Sequence, residues 1–264
     1  MAIKAVIFDL DDTLVVDEAV SREALQEVAG LAAREHGAVV AEFLEWAGVH
    51  SARFWEKNPA RAWCEGIGIS FEECLYGNFD GEGSEGFCRL REWALEARPA
   101  FFDAVLRELG ISDEESPDRL AAAYVTIRRR KQRLMPDARE VLARLRADGF
   151  LVALLTNGAP SIQQEKITDA GFDGAFDQVV ISGDFGIGKP LPEVFQHLFG
   201  RLGLAANETV MVGNSLKRDI LGARNAGCAA GIWLRVAGSE ELADVAPDYE
   251  IAGLHEVPAL VAAI

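Results

Sequence analysis

The chain reads as an α/β protein, a Rossmann-like, doubly wound parallel sheet core with an inserted α-helical domain. Three observations predict this. Residues 136–264 alternate short apolar runs with amphipathic stretches, the pattern of strand–helix–strand crossovers in a parallel sheet. The apolar run near the start, about residues 3–9, has the same doubly buried character and belongs in that sheet. The long segment between them carries helical periodicity and no convincing strand. The core domain is therefore read as residues 1–15 with 134–264, and the helical domain as residues 16–133.

After the first strand, "SREALQEVAGLAAREHG", "VAEFLEWAGVHSARFWEK", "EGFCRLREWALEARPAFFDAVLRELG" and "SPDRLAAAYVTIRRRKQRL" repeat apolar residues at helical spacing. Their aromatics, Trp46, Phe54, Trp55, Trp63, Phe71, Trp93, Phe101 and Phe102, are read mainly as the core of the helical domain, with a few available to line a ligand cleft. The basic run "RRRKQR" (128–133) closes the last of these helices, where the macrodipole favours cations. The alternation that follows supplies strands at "FLVALLTNG" (150–158), "QVVIS" (178–182), "TVMVGNS" (209–215) and "AGIWLR" (230–235). The helices are "PDAREVLARLRADG", "SIQQEKITDAG", "LPEVFQHLFGRLG" and "LKRDILGARNAG". Pro or Ser opens three of them and Gly ends all four, in keeping with helix start and stop chemistry.

The 264 residues, half of them hydrophobic, are enough for a sizeable core and exclude a disordered chain. A formal net charge of −16 repels nucleic acid and anionic lipid, so neither is expected as a partner. No apolar run reaches the roughly 18 residues of a membrane span, and "MAIKAVIFDL" lacks the pattern of a signal peptide, so a cytoplasmic protein is expected. Cys64, Cys74, Cys88 and Cys228 form no CxxC pair and have no partnering histidine; they are read as small buried thiols. The four histidines fall in no catalytic spacing.

Three strands end in polar clusters at the edge where parallel sheets bind ligands: Asp9-Leu10-Asp11, Thr156-Asn157-Gly158 and Gly213-Asn214-Ser215, with Asp219 following the last. "GIGKP" (186–190) adds a glycine loop ending in Lys189. This set suits phosphoryl chemistry. Asp9 and Asp11 lie two residues apart, on one face if the chain stays extended, so one carboxylate is placed to attack phosphorus and the other to move protons. Two carboxylates beside a phosphate dianion repel strongly; one unit-charge pair at about 4 Å costs about 4 kcal/mol at an effective dielectric of about 20. A hard divalent cation with oxygen ligands, Mg²⁺, offsets that charge, and Lys189 adds a second positive centre. The Thr156 hydroxyl and nearby backbone N–H groups are placed to hold phosphate oxygens. Asp12 is assigned to turn chemistry rather than catalysis.

The residues "DLDDT", "LLTNG", "GKP" and "VGNSLKRD", in that order and each on the expected element, resemble the haloacid dehalogenase-like hydrolase superfamily, in particular its phosphatase branch with an α-helical C1-type cap inserted after the first strand. The resemblance implies that Asp9 is the nucleophile that forms an aspartyl-phosphate. It implies that Asp11 is the general acid and then the base, its backbone carbonyl helping to bind Mg²⁺. Thr156, Asn157, Gly158 and Lys189 hold the phosphoryl group, Thr13 supports the turn, and Asn214 and Asp219 complete the metal end beside Asp9 and Asp11. It also implies a cap that closes over the substrate. One departure stands out: Gly213-Asn214 replaces the usual Gly-Asp, so a neutral amide stands where the metal normally meets a carboxylate.

The function expected is thus Mg²⁺-dependent hydrolysis of a small phosphorylated metabolite, by a monomer or homodimer. The alternatives are a 2-haloacid dehalogenase, which does not need Asp11, a phosphosugar mutase of the same fold, and a non-catalytic phospholigand-binding module.

Overall fold

Among the described residues, eight strands, all within the first of two compact units, organise the chain. The computed structural model describes residues 2–81, 83–236 and 244–264. The first unit comprises Met1–Asp17 with Arg133–Ile264, and the second Glu18–Gln132. The first carries β1 (Ala5–Phe8), β2 (Val15–Val16), β3 (Arg133–Leu134), β4 (Leu151–Thr156), β5 (Gln178–Ile181), β6 (Thr209–Gly213), β7 (Ala230–Leu234) and β8 (Tyr249–Ile251). Six of them form one parallel sheet in the order β5-β4-β1-β6-β7-β8. Numbered by appearance within that sheet, this is the doubly wound order 3-2-1-4-5-6, whose direction reverses beside β1. The α/β class expected from the alternation is the class observed.

Three strands were not anticipated. β8, "YEI", is exposed at two of its three residues and carries too little apolar signal to read as a strand. β2 and β3 form a two-residue antiparallel ladder, Val15 opposite Leu134 and Val16 opposite Arg133. This ladder holds both chain crossings inside the first unit, so the division falls after Asp17 and after Gln132.

The second unit is helical: α1 (Glu18–His36), α2 (Val40–Glu56), α3 (Arg61–Ile67), α4 (Phe71–Tyr76), α5 (Glu85–Glu108) and α6 (Ser116–Arg130). Phe71, Phe101 and Phe102 are buried at its centre, with the Phe101 ring 5.3 Å from Phe71 and 5.0 Å from Phe102. Trp46, Phe54, Trp55, Trp63 and Trp93 are only half-buried, so the core is narrower than the aromatic count implies. The basic run at the end of α6 is held inside this unit. Arg130 and Lys131 each reach Glu27 at 2.8 Å, while Arg128 is buried, donates to Ser21 Oγ at 2.9 Å and lies over the Tyr76 ring.

The helices of the first unit are α7 (Ala138–Ala147), α8 (Pro160–Asp169), the single turn α9 (Ser182–Phe185), α10 (Pro192–Leu202), α11 (Leu221–Ala226) and α12 (Val257–Val261). Side chains alternate across a strand, and β1 shows it. Val6 and Phe8 pack with Val141, Leu145, Ile167 and Val257 on one face. Ile7 packs with Phe195, Leu198 and Ala223 on the other. Burial on both faces explains the unbroken apolar run AVIF. It also leaves the first polar residue, Asp9, where the strand stops.

Candidate active site

Asp9 follows β1 directly, and its amide still donates to Val212 O of β6 at 3.0 Å, so the register of the sheet fixes its place. The Lys189 Nζ lies 2.6 Å from Asp9 Oδ1 and 2.7 Å from Asp219 Oδ1. All three side chains are buried, Asp9 at 7% exposure and Asp219 at 0%. Burial pulls the Lys189 ammonium down, but Asp219 and Asp9 outweigh it and hold its pKa above the ordinary lysine range. Burial pushes the Asp9 carboxyl up, against the pull of Lys189.

Several local features hold this triad. The Asn157 side chain spans the glycine loop: its Oδ1 accepts from the Lys189 amide at 2.8 Å and its Nδ2 donates to Lys189 O at 2.9 Å. Gly188 is required there, because a Cβ would stand 2.7 Å from Asn157 Oδ1. Asp219 lies in a π-helical turn, Leu216–Ile220, and its Oδ2 accepts from the Ser215 amide at 2.9 Å. A Cβ on Gly213 would stand 2.3 Å from Asp219 Cγ, so the glycine makes room for the carboxylate. Thr13 is fully buried; its hydroxyl lies 3.2 Å from Asp9 Oδ2 and accepts from the Asn214 amide at 3.2 Å. Trp233 Nε1 donates to Asn214 O at 2.9 Å, so the Asn214 backbone is fixed from both sides.

Some sequence-derived assignments are redirected. Gly158, placed with the phosphate, gives its N–H to the buried Ser182 Oγ at 2.9 Å. Asn157, also placed there, commits its side chain to the backbone of Lys189. Asp219, placed with the metal, meets Lys189 and Ser215. Thr156 is buried at the end of β4, its hydroxyl 3.3 Å from Asn157 O. Asp12 does form a turn, with φ at 55°, and its Oδ1 accepts from the Asp17 amide at 2.9 Å.

The surroundings of Asp11 were missed. Lys166 Nζ lies 2.7 Å from Asp11 Oδ1 and 2.7 Å from Asp17 Oδ1. Gln163 Nε2 lies 2.9 Å from Asp11 Oδ2 and 2.6 Å from Asn157 O. Burial raises the Asp11 pKa; Lys166 opposes this, and Asp17 and Asp9 add to it. The available signal was a phase: Gln163 and Lys166 share a face of α8 with the buried Ile162 and Ile167.

As a metal site, the side-chain donors gathered at Asp9 are oxygens: its own carboxylate and the Thr13 hydroxyl, with the Asn214 side-chain oxygen 3.5 Å from that hydroxyl. Such donors fit Mg²⁺, which takes one or two carboxylates with water and substrate phosphate. Among the described residues no group of three or more His, Cys, Asp or Glu is gathered to hold a metal. The set is therefore poor in charge rather than wrong in chemistry.

The model of the haloacid dehalogenase-like hydrolases matches residues 3–227. The chain belongs to the haloacid dehalogenase-like hydrolase family. A phosphoserine phosphatase of Thermus thermophilus is 36% identical to this hydrolase over 254 residues, covering 96% of this chain and 97% of its own. A glyceraldehyde 3-phosphate phosphatase of Methanopyrus kandleri is 30% identical, covering 94% and 93%. Among solved structures, a HAD-hydrolase of Bacillus subtilis bound to magnesium matches with a TM-score of 0.66 at 22% identity, over 99% of both chains, and supports the fold. A HAD phosphatase of Thermococcus onnurineus matches with a TM-score of 0.58 at 27% identity, over 98% of both chains. This hydrolase is of the phosphatase branch.

Proposed function

We propose that the protein is an Mg²⁺-dependent phosphatase of small phosphorylated metabolites, working through an aspartyl-phosphate on Asp9. The observation that carries the reading is Lys189, buried and shared between Asp9 and Asp219 at the carboxyl end of the sheet. A raised ammonium at that point keeps Asp9 available as a nucleophile and meets the charge of an arriving phosphoryl group. Asp11, two residues on, gives its proton to the leaving alcohol and then takes one from the hydrolytic water. Thr156 binds a phosphoryl oxygen. Asn157 and Gly158 act on the phosphate indirectly, by fixing Lys189 and the end of β4.

Asp9, the Asp11 carbonyl and Asn214 are the residues assigned to Mg²⁺, with Asp219 acting beside them through Lys189. Bound there, the ion supplies charge neutralisation for the phosphate. The helical unit is assigned the role of cap from its place in the chain, between β2 and β3. The substrates named for the relatives, phosphoserine, glyceraldehyde 3-phosphate and, for a rat relative 26% identical over 265 residues, N-acylneuraminate 9-phosphate, are small alkyl phosphomonoesters; we assign the same class here.

The test is phosphate release from p-nitrophenyl phosphate and from a panel of those three esters, with and without Mg²⁺, by the intact chain and by Asp9→Asn. Release that needs Mg²⁺ and vanishes in the variant is expected. Release from none of them, or release surviving Asp9→Asn, overturns the reading.

A further inference from the structure

We propose that Gln163 and Lys166 are positioning residues that aim the Asp11 carboxyl group at the leaving-group oxygen. The inference rests on the phosphatase reading above and concerns residues that it does not use.

Both oxygens of Asp11 are taken by side chains of one helix, α8. Lys166 Nζ holds Oδ1 at 2.7 Å and Gln163 Nε2 holds Oδ2 at 2.9 Å. Residues three apart on a helix share a face, so a single short helix launched from β4 supplies the whole clamp. A carboxyl held at both oxygens has little rotational freedom, which is what directed proton transfer requires.

The clamp is costly, which argues against a merely structural role. Lys166 is 3% exposed and Gln163 fully buried, on the face where α8 otherwise places Ile162 and Ile167. A buried ion pair is often no more stabilising than apolar residues of similar size. Gln163 Oε1 is buried without a hydrogen-bond partner. Turning the amide over would aim that oxygen at two acceptors, Asp11 Oδ2 and Asn157 O, so its orientation is fixed by Asp11 and Asn157 together. Asn157 in turn grips the backbone of Lys189. One chain of hydrogen bonds thus runs from Asp11 through Gln163, Asn157 and Lys189 to Asp9. The acid and the nucleophile are referenced to one another. Asp17 Oδ1 lies 2.7 Å from the same Lys166 ammonium.

In the first half-reaction a carboxylate oxygen of Asp9 bonds to phosphorus and the ester P–O bond breaks. The departing alkoxide takes the Asp11 proton, leaving an acyl phosphate, an alcohol and the Asp11 carboxylate. A p-nitrophenolate leaves without that proton, whereas an alkoxide does not. The ratio kcat/KM reports the steps up to this first bond cleavage, before Asp11 acts as base.

The experiment measures kcat/KM at saturating Mg²⁺ for p-nitrophenyl phosphate and for the best alkyl phosphate of the panel. The proteins compared are the wild type, Gln163→Leu, Lys166→Met and Lys166→Arg, with thermal melts for each. The expected result is a loss on the alkyl phosphate at least about tenfold larger than on p-nitrophenyl phosphate, partly restored in Lys166→Arg. Equal losses on the two substrates, or no loss, overturn the inference. If Lys166→Met does not fold, Gln163→Leu, which removes no charge, decides alone. A wild type that turns over neither substrate overturns the phosphatase reading instead.

Discussion

Lys189 and Asp219 meet at 2.7 Å with the lysine side chain 1% exposed and the carboxylate 0%. Asp9 completes the group from the lysine's other side, so one ammonium balances two buried carboxylates. Removing it leaves both uncompensated. Lys189→Met is expected to abolish phosphate release and to cost about 3–5 kcal/mol of stability, measured by urea denaturation.

The same lysine sets a pH dependence. Its folded-state pKa lies above the ordinary value of 10.5, because Asp219 and Asp9 outweigh burial. A raised lysine stabilises fully below its unfolded pKa and loses that contribution as pH rises through the folded one. The stability gap between wild type and Lys189→Met is therefore expected to hold steady from neutrality to about pH 10 and to shrink above it. Paired urea titrations across that range check it; a gap that widens in alkali contradicts the assignment.

Asn157→Ala cuts both ties to the Lys189 backbone. Each is a neutral hydrogen bond of about 1 kcal/mol, so the fold survives. The lysine loses its fixed position, and kcat is expected to fall by about one to two orders of magnitude. Steady-state kinetics beside a thermal melt separates the two effects.

Gly213→Ala places a methyl group 2.3 Å from Asp219 Cγ and must displace it. A loss of about 1–3 kcal/mol and of most activity is expected. Gly200, in α10, has nothing within 4 Å of an added Cβ, and Gly200→Ala is expected to gain about 0.5–1 kcal/mol with kinetics unchanged. Chemical denaturation of the pair shows whether clearance, rather than glycine loss in general, governs the first.

Asn214→Asp changes an amide to a carboxylate while the Thr13 and Trp233 contacts hold the backbone in place. A hard cation gains a charged ligand, so the apparent Mg²⁺ affinity in activity titrations is expected to rise. An unchanged or weaker affinity places the ion elsewhere.

Burial pushes the Cys64 thiol up to about 12 and the Cys228 thiol to about 11, and raises Cys74 as well. Thiolates, not thiols, react with alkylating reagents. At pH 8 the native protein is expected to be labelled first at the half-buried Cys88 of α5, with Cys64 and Cys74 silent until unfolding; peptide mapping reads this directly.

Asp9, Thr156, Asn157 and Asn214 were legible because a buried parallel strand is apolar until it stops, and the first polar residue marks the ligand edge. Lys189 was legible from its glycine loop. Gln163 and Lys166 were not. In α8 even the buried face carries as many polar residues as apolar ones, so two that turn inward look like two more on the surface. Only the positions of Ile162 and Ile167 mark the buried side, and a lysine beside them contradicts the usual pattern of burial. β8 escaped for the opposite reason: it is an edge strand that borrows its order from β7 and buries a single residue.

The central position of β1 has a consequence for the order of assembly. Ala5 pairs with Leu151 on one side and Thr209 on the other, with the entire helical unit lying between Ala5 and both partners along the chain. On the ribosome the strand that carries Asp9 emerges well before both of its partners and must wait for them. The helical unit, rich in local contacts, has time to fold in between. Four consecutive apolar residues wait unpaired through that interval. Circular permutation that joins the ends and opens the chain ahead of β3 would place β1 behind β8, after both of its partners, and the nascent chain would no longer carry this apolar strand unpaired while they are made.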